Sequence, residues 1–390
     1  MDPGPPNRPI HVLTLTPFYP SMHDDATGCF ISEPLAWMGA HGTKNMIVAV
    51  QPFYRGRIRA HPGAPCAENL SYFAFPSGFG LPSSGAFLFA RLLDPVRQKH
   101  RRDPIDLIHA HSALPCGHAA ALLSRELNIP FLVTVHGLDA FYSNQVDGYA
   151  GRWCRRVSQM VYCAASRVIC ISEHVRDQVV AGAQAGCRTA VVYNGVDPVF
   201  FSPASQNQNS GPNILSIGNL ISIKGHELLL RAVAGLESRH PMLSCEVIGD
   251  GPERVGLLAL ASQLKISDRV HFLGRQNRHT VANALRHCTI FALPSRYEGL
   301  GCVYLEAMAT AKPAIGCRGQ GIEEIVHHGV NSCLVSPDNL DELLATLDHL
   351  LNDASVQTRI GAAARQTILQ RFTLAHQADG LNRIYRECLS

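Results

Sequence analysis

Residues 289–309 read TIFALPSRYEGLGCVYLEAMA, and this stretch decides the fold. A short apolar run closed by Pro294 is followed by a Gly-x-Gly turn at Gly299 and Gly301, and then by a helical pattern over 299–310. A strand buried on both faces reads as a continuous apolar run, and a glycine turn into a helix is how a parallel sheet passes to its next crossover. The rhythm repeats outward from there. Strands are predicted at 213–218, 243–249, 270–274 and 313–316, with helices near 225–238, 253–264 and 278–286. Earlier, strands at 10–16, 46–50, 106–111, 131–135, 168–171 and 190–192 alternate with helices such as 31–39 and 117–127. Alternation at this spacing predicts right-handed βαβ units and an α/β chain of doubly wound, Rossmann-like sheets.

At 390 residues the chain exceeds what one core usually serves. The uncharged, proline-flanked SPASQNQNSGP at 202–212 has linker composition and divides it into an N-terminal domain, 1–203, and a C-terminal domain, 211–371. Ligands of open α/β sheets lie beyond the carboxyl ends of the strands, so two facing sheets predict a site in an interdomain cleft.

Composition removes several function classes. Apolar residues at 46% and charged residues at 17% exclude a disordered chain, and no run of 18 uncharged apolar residues marks a polytopic membrane protein. With 34 basic against 31 acidic residues the chain is too balanced for a nucleic-acid binder. The 13 cysteines are scattered, without a C-x-x-C pair or a zinc-like grouping, and read as free thiols of a cytoplasmic protein. The opening MDPGPPNRPI lacks the apolar core of a signal peptide. Residues 1–200 hold 17 Lys+Arg and 14 Asp+Glu, so the whole net charge of +3 falls in the first half, with clusters at 97–102 and 152–156. Residues 69–90 carry no charge at all. The segment 83–102 reads either as a helix lying on an anionic bilayer or as an ordinary core helix with a solvated basic end, and the second reading is favoured.

Chemistry concentrates around the opening stretch. Glu298 ends a strand, the glycine turn follows, and Glu306 lies eight positions on, inside the helix. A helix N-terminus offers backbone N–H groups to a phosphate, while carboxylates on either side accept hydrogen bonds from vicinal sugar hydroxyls. A glutamate in a first helical turn is also favoured by the helix dipole, which does not account for Glu298 ahead of the turn. Lys224, in IGNLISIKGH at 217–226, is a point charge near the next helix start, although alone it reads as a surface cation. His109 and His111 share a strand face without an apparent third metal ligand, so a structural or acceptor-side role is expected.

With these residues in view, the chain resembles the retaining glycosyltransferases of family 4, similar to bacterial polysaccharide- and teichuronic-acid-type enzymes. The resemblance rests on Glu298 and Glu306, AKPAIGCRGQGIEEI at 311–325, the G-x-L-x3-K-G element at 218–225, NGVD at 194–197 and GDGP at 249–252. It implies a GT-B fold: an acceptor-binding N-terminal domain completed by the C-terminal helix 372–390, and a nucleotide-sugar-binding C-terminal domain. It further implies that Glu306 binds the ribose, Glu298 the transferred sugar and Lys224 the diphosphate. The amides of Leu300, Gly301 and Cys302 would hold phosphate or sugar oxygens, with Gly28, Gly251 and Arg275 also lining the donor. His136, in TVHGLD at 134–139, matches the active-site histidine. Asn219 stands where the family usually has arginine, so a cation such as Arg296 or Arg318 would have to join Lys224.

The expected activity is hexosyl transfer from a UDP- or GDP-linked donor to a glycan hydroxyl, possible on a lipid-linked glycan at the inner membrane face, with no cofactor. No D-x-D triplet occurs, so metal independence is expected. A nucleotide-sugar epimerase of the same architecture and a non-catalytic sugar-nucleotide-binding protein are the alternatives; a Rossmann oxidoreductase lacks its G-x-G-x-x-G after the first strand.

Overall fold

The computed structural model describes residues 8–22, 24–55, 61–76, 78–141, 146, 148–183, 186–204 and 211–390. It divides into two compact units, Met1–Tyr193 with Gln377–Ser390, and Asn194–His376.

The first unit holds seven parallel strands, β1 (His11–Thr16), β2 (Lys44–Pro52), β3 (Ala67–Tyr72), β4 (Leu107–His111), β5 (Phe131–Val135), β6 (Arg167–Cys170) and β7 (Thr189–Val191). Their order is β3-β2-β1-β4-β5-β6-β7. The register sets Val12 of β1 between Asn45 of β2 and Leu107 of β4, and β1, β4 and β5 are buried along their whole length. The crossovers are α1 (Cys29–Ala40), α2 (Leu81–Arg102), α3 (His118–Leu127), α4 (Gly148–Ala164) and α5 (Glu173–Gly182).

The second unit has six parallel strands, β8 (Asn213–Ile217), β9 (Ser244–Ile248), β10 (Val270–Gly274), β11 (Ile290–Ala292), β12 (Ala314–Cys317) and β13 (Cys333–Val335), in the order β10-β9-β8-β11-β12-β13. Its helices are α6 (His226–Leu236), α7 (Arg254–Gln263), α8 (Arg278–His287), α9 (Cys302–Ala309), α10 (Leu340–Asn352) and α11 (Ala354–Arg371). On α6 the apolar positions Leu229, Leu230, Val233 and Leu236 meet Leu343, Leu347 and Leu350 of α10 in one core. Each such side chain contributes about 1.5–3 kcal/mol when fully buried. The last helix, α12 (Leu374–Leu389), belongs to the first unit from Gln377 onward, and its Tyr385 packs with Val12, Leu107 and Leu132.

Strand order reverses direction at β1/β4 in the first unit and at β8/β11 in the second. Such switch points open a crevice at the strand ends.

One expectation shifts. The boundary falls at 193/194, ahead of the polar stretch, because residues 194–203 are tied into the second unit. Arg286 Nε donates to the Ser202 carbonyl at 3.1 Å, Arg365 Nη2 donates to that of Pro198 at 3.3 Å, and Val196 pairs with Thr373. Of the linker itself, 205–210 lie outside the described residues. The favoured core reading of 83–102 agrees with the structure, in which Leu88, Leu92 and Val96, the apolar stripe of α2, are buried.

Candidate functional site

In the second unit the strand-end turns lock together. The Leu220 N–H donates to the Asp250 carbonyl at 3.0 Å, the Glu253 N–H to the Leu220 carbonyl at 3.0 Å, and the Gly249 N–H to the Gly274 carbonyl at 2.9 Å. Gly251 is glycine for a local reason, since a Cβ there would stand 2.4 Å from the Leu220 oxygen. Asn219 sits exposed on the first of these turns and Arg275 exposed just beyond the third.

At the β8/β11 switch point, Lys224 closes a single 3-10 turn and Glu298 follows β11. Lys224 Nζ and Glu298 Oε1 are 2.5 Å apart, with side chains 18% and 9% exposed. Ser295 Oγ donates to the same Glu298 oxygen at 3.2 Å. The Glu298 N–H donates to Gln320 Oε1 at 3.0 Å, and its carbonyl accepts from the Gly321 N–H at 3.1 Å. A half-buried ammonium and a carboxylate are thus pinned at one place, with the geometry to meet an anion and a set of hydroxyls.

Leu300 is buried, and Gly301 starts α9 at φ +80° with no side-chain cap. A Cβ at 301 would stand 2.5 Å from the Tyr304 ring, whose hydroxyl is anchored on the Leu293 carbonyl. Cys302 accepts from Asn194 Nδ2 at 3.2 Å, so its thiol joins the turn to the NGVD stretch. Glu306 is buried and pairs with Arg278 Nη1 at 2.5 Å. Arg278 in turn lies over the Phe201 ring at 4.8 Å. Arg278 went unnoticed in the sequence because Arg275 sits in the same loop; only the start of α8 at Arg278, after the Asn277 cap, turns the second arginine inward.

Neither cation suggested as a substitute for the missing arginine stands unengaged. Arg296 Nε reaches both Asp338 oxygens, at 2.7 and 2.9 Å, and Arg318 pairs with Glu342. A cavity of about 260 Å³ opens beside this cluster, lined by Ser222, Gly225, His226, Glu253 and Arg296; Lys224, Glu298 and Glu306 do not line it.

In the first unit, the ends of β1, β4 and β5 bring together Gly28, His111 and His136. Gly28 has φ +77°, and a Cβ there would meet the Phe18 carbonyl carbon at 2.6 Å, so local packing already demands glycine. His136 Nε2 and His111 Nδ1 are 3.1 Å apart, and the Phe30 ring meets His136 edge-on at 4.9 Å. His109 is fastened by Tyr385 Oη and Thr134 Oγ1, both at 2.7 Å. Burial pushes His109 down to about 3, and burial with His109 nearby does the same to His136. His111 is held well below its ordinary value by burial first and its histidine neighbours second. All three are therefore neutral at pH 7. The His136 N–H of the backbone donates to Asp139 Oδ1 at 2.9 Å, and burial pushes that carboxyl up to about 6 against this and other hydrogen bonds. Among the described residues no group of three or more His, Cys, Asp or Glu is arranged to hold a metal ion.

Residues 48–200 match the model of Glycosyltransferase Family 4, and residues 200–367 match that of Glycosyl transferases group 1. A D-inositol 3-phosphate glycosyltransferase of Frankia alni is 30% identical over 331 residues, 78% of this chain and 80% of its own. The chain belongs to the family 4-type glycosyltransferases. An α-D-kanosaminyltransferase of Streptomyces kanamyceticus is 26% identical across 85% of this glycosyltransferase and 90% of itself. Among solved structures, a sucrose-phosphate synthase from Thermosynechococcus elongatus superposes with a TM-score of 0.78 at 18% identity, covering 97% of this chain and 98% of that one. Anabaena HepE in complex with UDP-glucose gives 0.76 at 20% identity, covering 97% and 100%. Both establish the GT-B fold of two Rossmann-like units.

Proposed function

We propose that this glycosyltransferase moves a hexosyl group from a UDP- or GDP-linked sugar to a glycan hydroxyl, with retention at the anomeric carbon and without a metal. The observation that carries the reading is the Lys224–Glu298 pair at the β8/β11 switch point, with the Gly301 start of α9 and then buried Glu306 following Glu298 in the chain. Lys224 and the α9 N-terminus face the diphosphate, Glu298 takes hydroxyls of the transferred sugar, and Glu306, steadied by Arg278, takes the ribose. In the reaction the bond from C1 to the phosphate oxygen breaks and a bond from C1 to the acceptor oxygen forms on the same face. The acceptor proton passes to the leaving phosphate. His136, neutral at pH 7, serves as a hydrogen-bonding partner for sugar hydroxyls and not as a nucleophile. Support for the donor class comes from Anabaena HepE, whose structures hold UDP and UDP-glucose.

The test is a thermal-shift screen over nucleotide-sugars with and without EDTA, followed by proton NMR of the product. A ligand at 100 times its Kd stabilises the native state by about 2.7 kcal/mol, which a melting curve resolves. An inverted anomer, or turnover abolished by EDTA, defeats the corresponding part of the reading. Isomerised free sugar without acceptor favours the epimerase.

A further inference from the structure

The proposed transfer uses His136 and leaves His109 and His111 without a task. The register of β4 on β5 sets His111 opposite Thr134, so His109, His111, Thr134 and His136 fall on one face of the sheet. Along that face the rings form a column, with centroids 4.5 Å apart from His109 to His111 and 5.3 Å apart from His111 to His136. Both ends of the column are fixed. Tyr385 Oη and Thr134 Oγ1 occupy the two nitrogens of His109 at 2.7 Å, while the Phe30 and Phe18 rings meet His136 edge-on at 4.9 and 6.1 Å. His111, itself buried, is held between these two rings.

One polar contact joins His111 to His136, from Nδ1 to Nε2 at 3.1 Å. Burial keeps both rings neutral, so each carries a single ring N–H and one ring donates to the other. The remaining nitrogens, His111 Nε2 and His136 Nδ1, are buried and have no partner among the described residues. Two tautomer pairs satisfy the contact. If His136 donates, the spare N–H lies on Nε2 of His111, a side chain closed to solvent beside a His109 whose nitrogens are both engaged. If His111 donates, the spare N–H lies on Nδ1 of His136, a residue only partly covered at the strand end, where a ligand can supply the acceptor. A buried N–H left without an acceptor is costly, which favours the second pair.

We propose that His111 is a positioning residue: its Nδ1–H donates to His136 Nε2, holds His136 as the Nδ1–H tautomer, and so makes His136 a donor, through Nδ1, to an oxygen of the transferred sugar. Which ring nitrogen carries the proton is set by the hydrogen bond that the other one makes. The proposal rests on the reading of His136 as the sugar's hydrogen-bonding partner, and adds the atom, the sense of the bond and the residue that sets it. Tyr385 and Thr134 act one step behind, since the ring they hold is the one against which His111 packs.

The experiment is nitrogen NMR of the full chain, free of ligand near pH 7 and isotope-labelled only at its histidine ring nitrogens. The His136 signals are those that disappear in His136→Ala. The expected spectrum has the His136 proton on Nδ1. In His111→Leu, which fills the space but cannot donate, the proton redistributes towards Nε2; in His111→Asn, whose amide nitrogen stands near the place of Nδ1, it returns to Nδ1. Turnover of the nucleotide-sugar selected by the melting screen follows the same order. In His111→Leu kcat falls on the order of a hundredfold, and in His111→Asn it recovers to within about tenfold of the parent, with an unchanged thermal shift by the same nucleotide-sugar in both variants. Packing alone predicts the reverse order, with leucine above asparagine in a buried place. A parent spectrum with the His136 proton on Nε2 overturns the proposal, and so does an asparagine variant no better than the leucine one. Loss of turnover in His136→Ala beside an unaffected His111→Leu overturns the proposal alone, whereas full turnover in His136→Ala overturns the sugar-contact reading and the proposal together.

Discussion

At the scale of single residues, the two carboxylates of the E-x7-E pattern are each bound to a cation, and the two pairs predict different failures. Glu306→Ala removes the carboxylate from the buried pair with Arg278, which costs about 3–5 kcal/mol. The double variant with Arg278→Met recovers much of that stability in urea denaturation while leaving donor binding weak. If the single variant unfolds at the parent's midpoint, the Arg278 contact is not structural. Lys224→Met removes the charge proposed for the diphosphate, so affinity for UDP or GDP falls tenfold or more by calorimetry. Glu298→Gln keeps the nucleotide but lowers kcat about a hundredfold, because its contact is with the sugar. Equal effects of the two variants on nucleotide affinity contradict this division. Glu298 and Lys224 are legible in the sequence because each stands in a strand-end turn beside a glycine, and Glu306 because it falls on the helix that follows such a turn. Their partners are not, since Arg278, Ser295 and Gln320 are chosen by which way a loop residue turns, a property of packing that spacing does not encode.

At the scale of elements, β12, β9 and β5 announce themselves as apolar runs, whereas β3 escaped notice. Its sequence AENLSY is half-exposed at the sheet edge, with Glu68 and Asn69 in solvent, so no apolar run forms. β13 has only three residues and is closed on both sides by serine, Ser332 and Ser336, so no longer apolar run marks it. The glycine that opens α9 is a feature of the element and not of the ligand alone. At φ +80° and with the Tyr304 ring 2.5 Å from where a Cβ would be, Gly301→Ala is strained in the free protein. The expected outcome is a loss of about 1–3 kcal/mol without ligand together with weaker nucleotide binding, because the helix start has to shift. Gly28→Ala should destabilise similarly through the Phe18 backbone, with nucleotide absent. A melting temperature unchanged in either variant would mean that the close approach relaxes freely.

At the scale of the whole molecule, the histidines set how stability responds to acid. Burial is the leading cause that lowers His109 and His136 to about 3 and His226 to about 4, and His111 falls well below its usual value for the same reason. The unfolded chain takes up protons on these groups near pH 6.5, and the folded chain does not until far lower. Between those limits the unfolded state binds more protons, so stability rises with pH and is lost on acidification from about 6.5 towards 4. Asp139 opposes this: burial raises it to about 6, and its contribution weakens as pH rises from 3.8 to that value. Asp103, Asp348 and Asp353, held low chiefly by hydrogen-bonding partners, act in the same direction as the histidines but below the ordinary carboxylate range. Burial also lowers His118, so four of the five histidines and the opposing Asp139 lie in the first unit, leaving an excess of three histidines there against His226 alone in the second. Each excess group contributes at most about 1.4 kcal/mol per pH unit, so the first unit loses stability more steeply than the second. Hydrogen exchange at pH 7.5, 6 and 5 should therefore show protection in β4, β5 and α12 collapsing before that in β8 and α6. His111→Asn should flatten the first unit's response without altering the second's. Protection that falls equally in both units, or that falls as pH rises through this window, would show that these imidazoles are not held neutral by the fold.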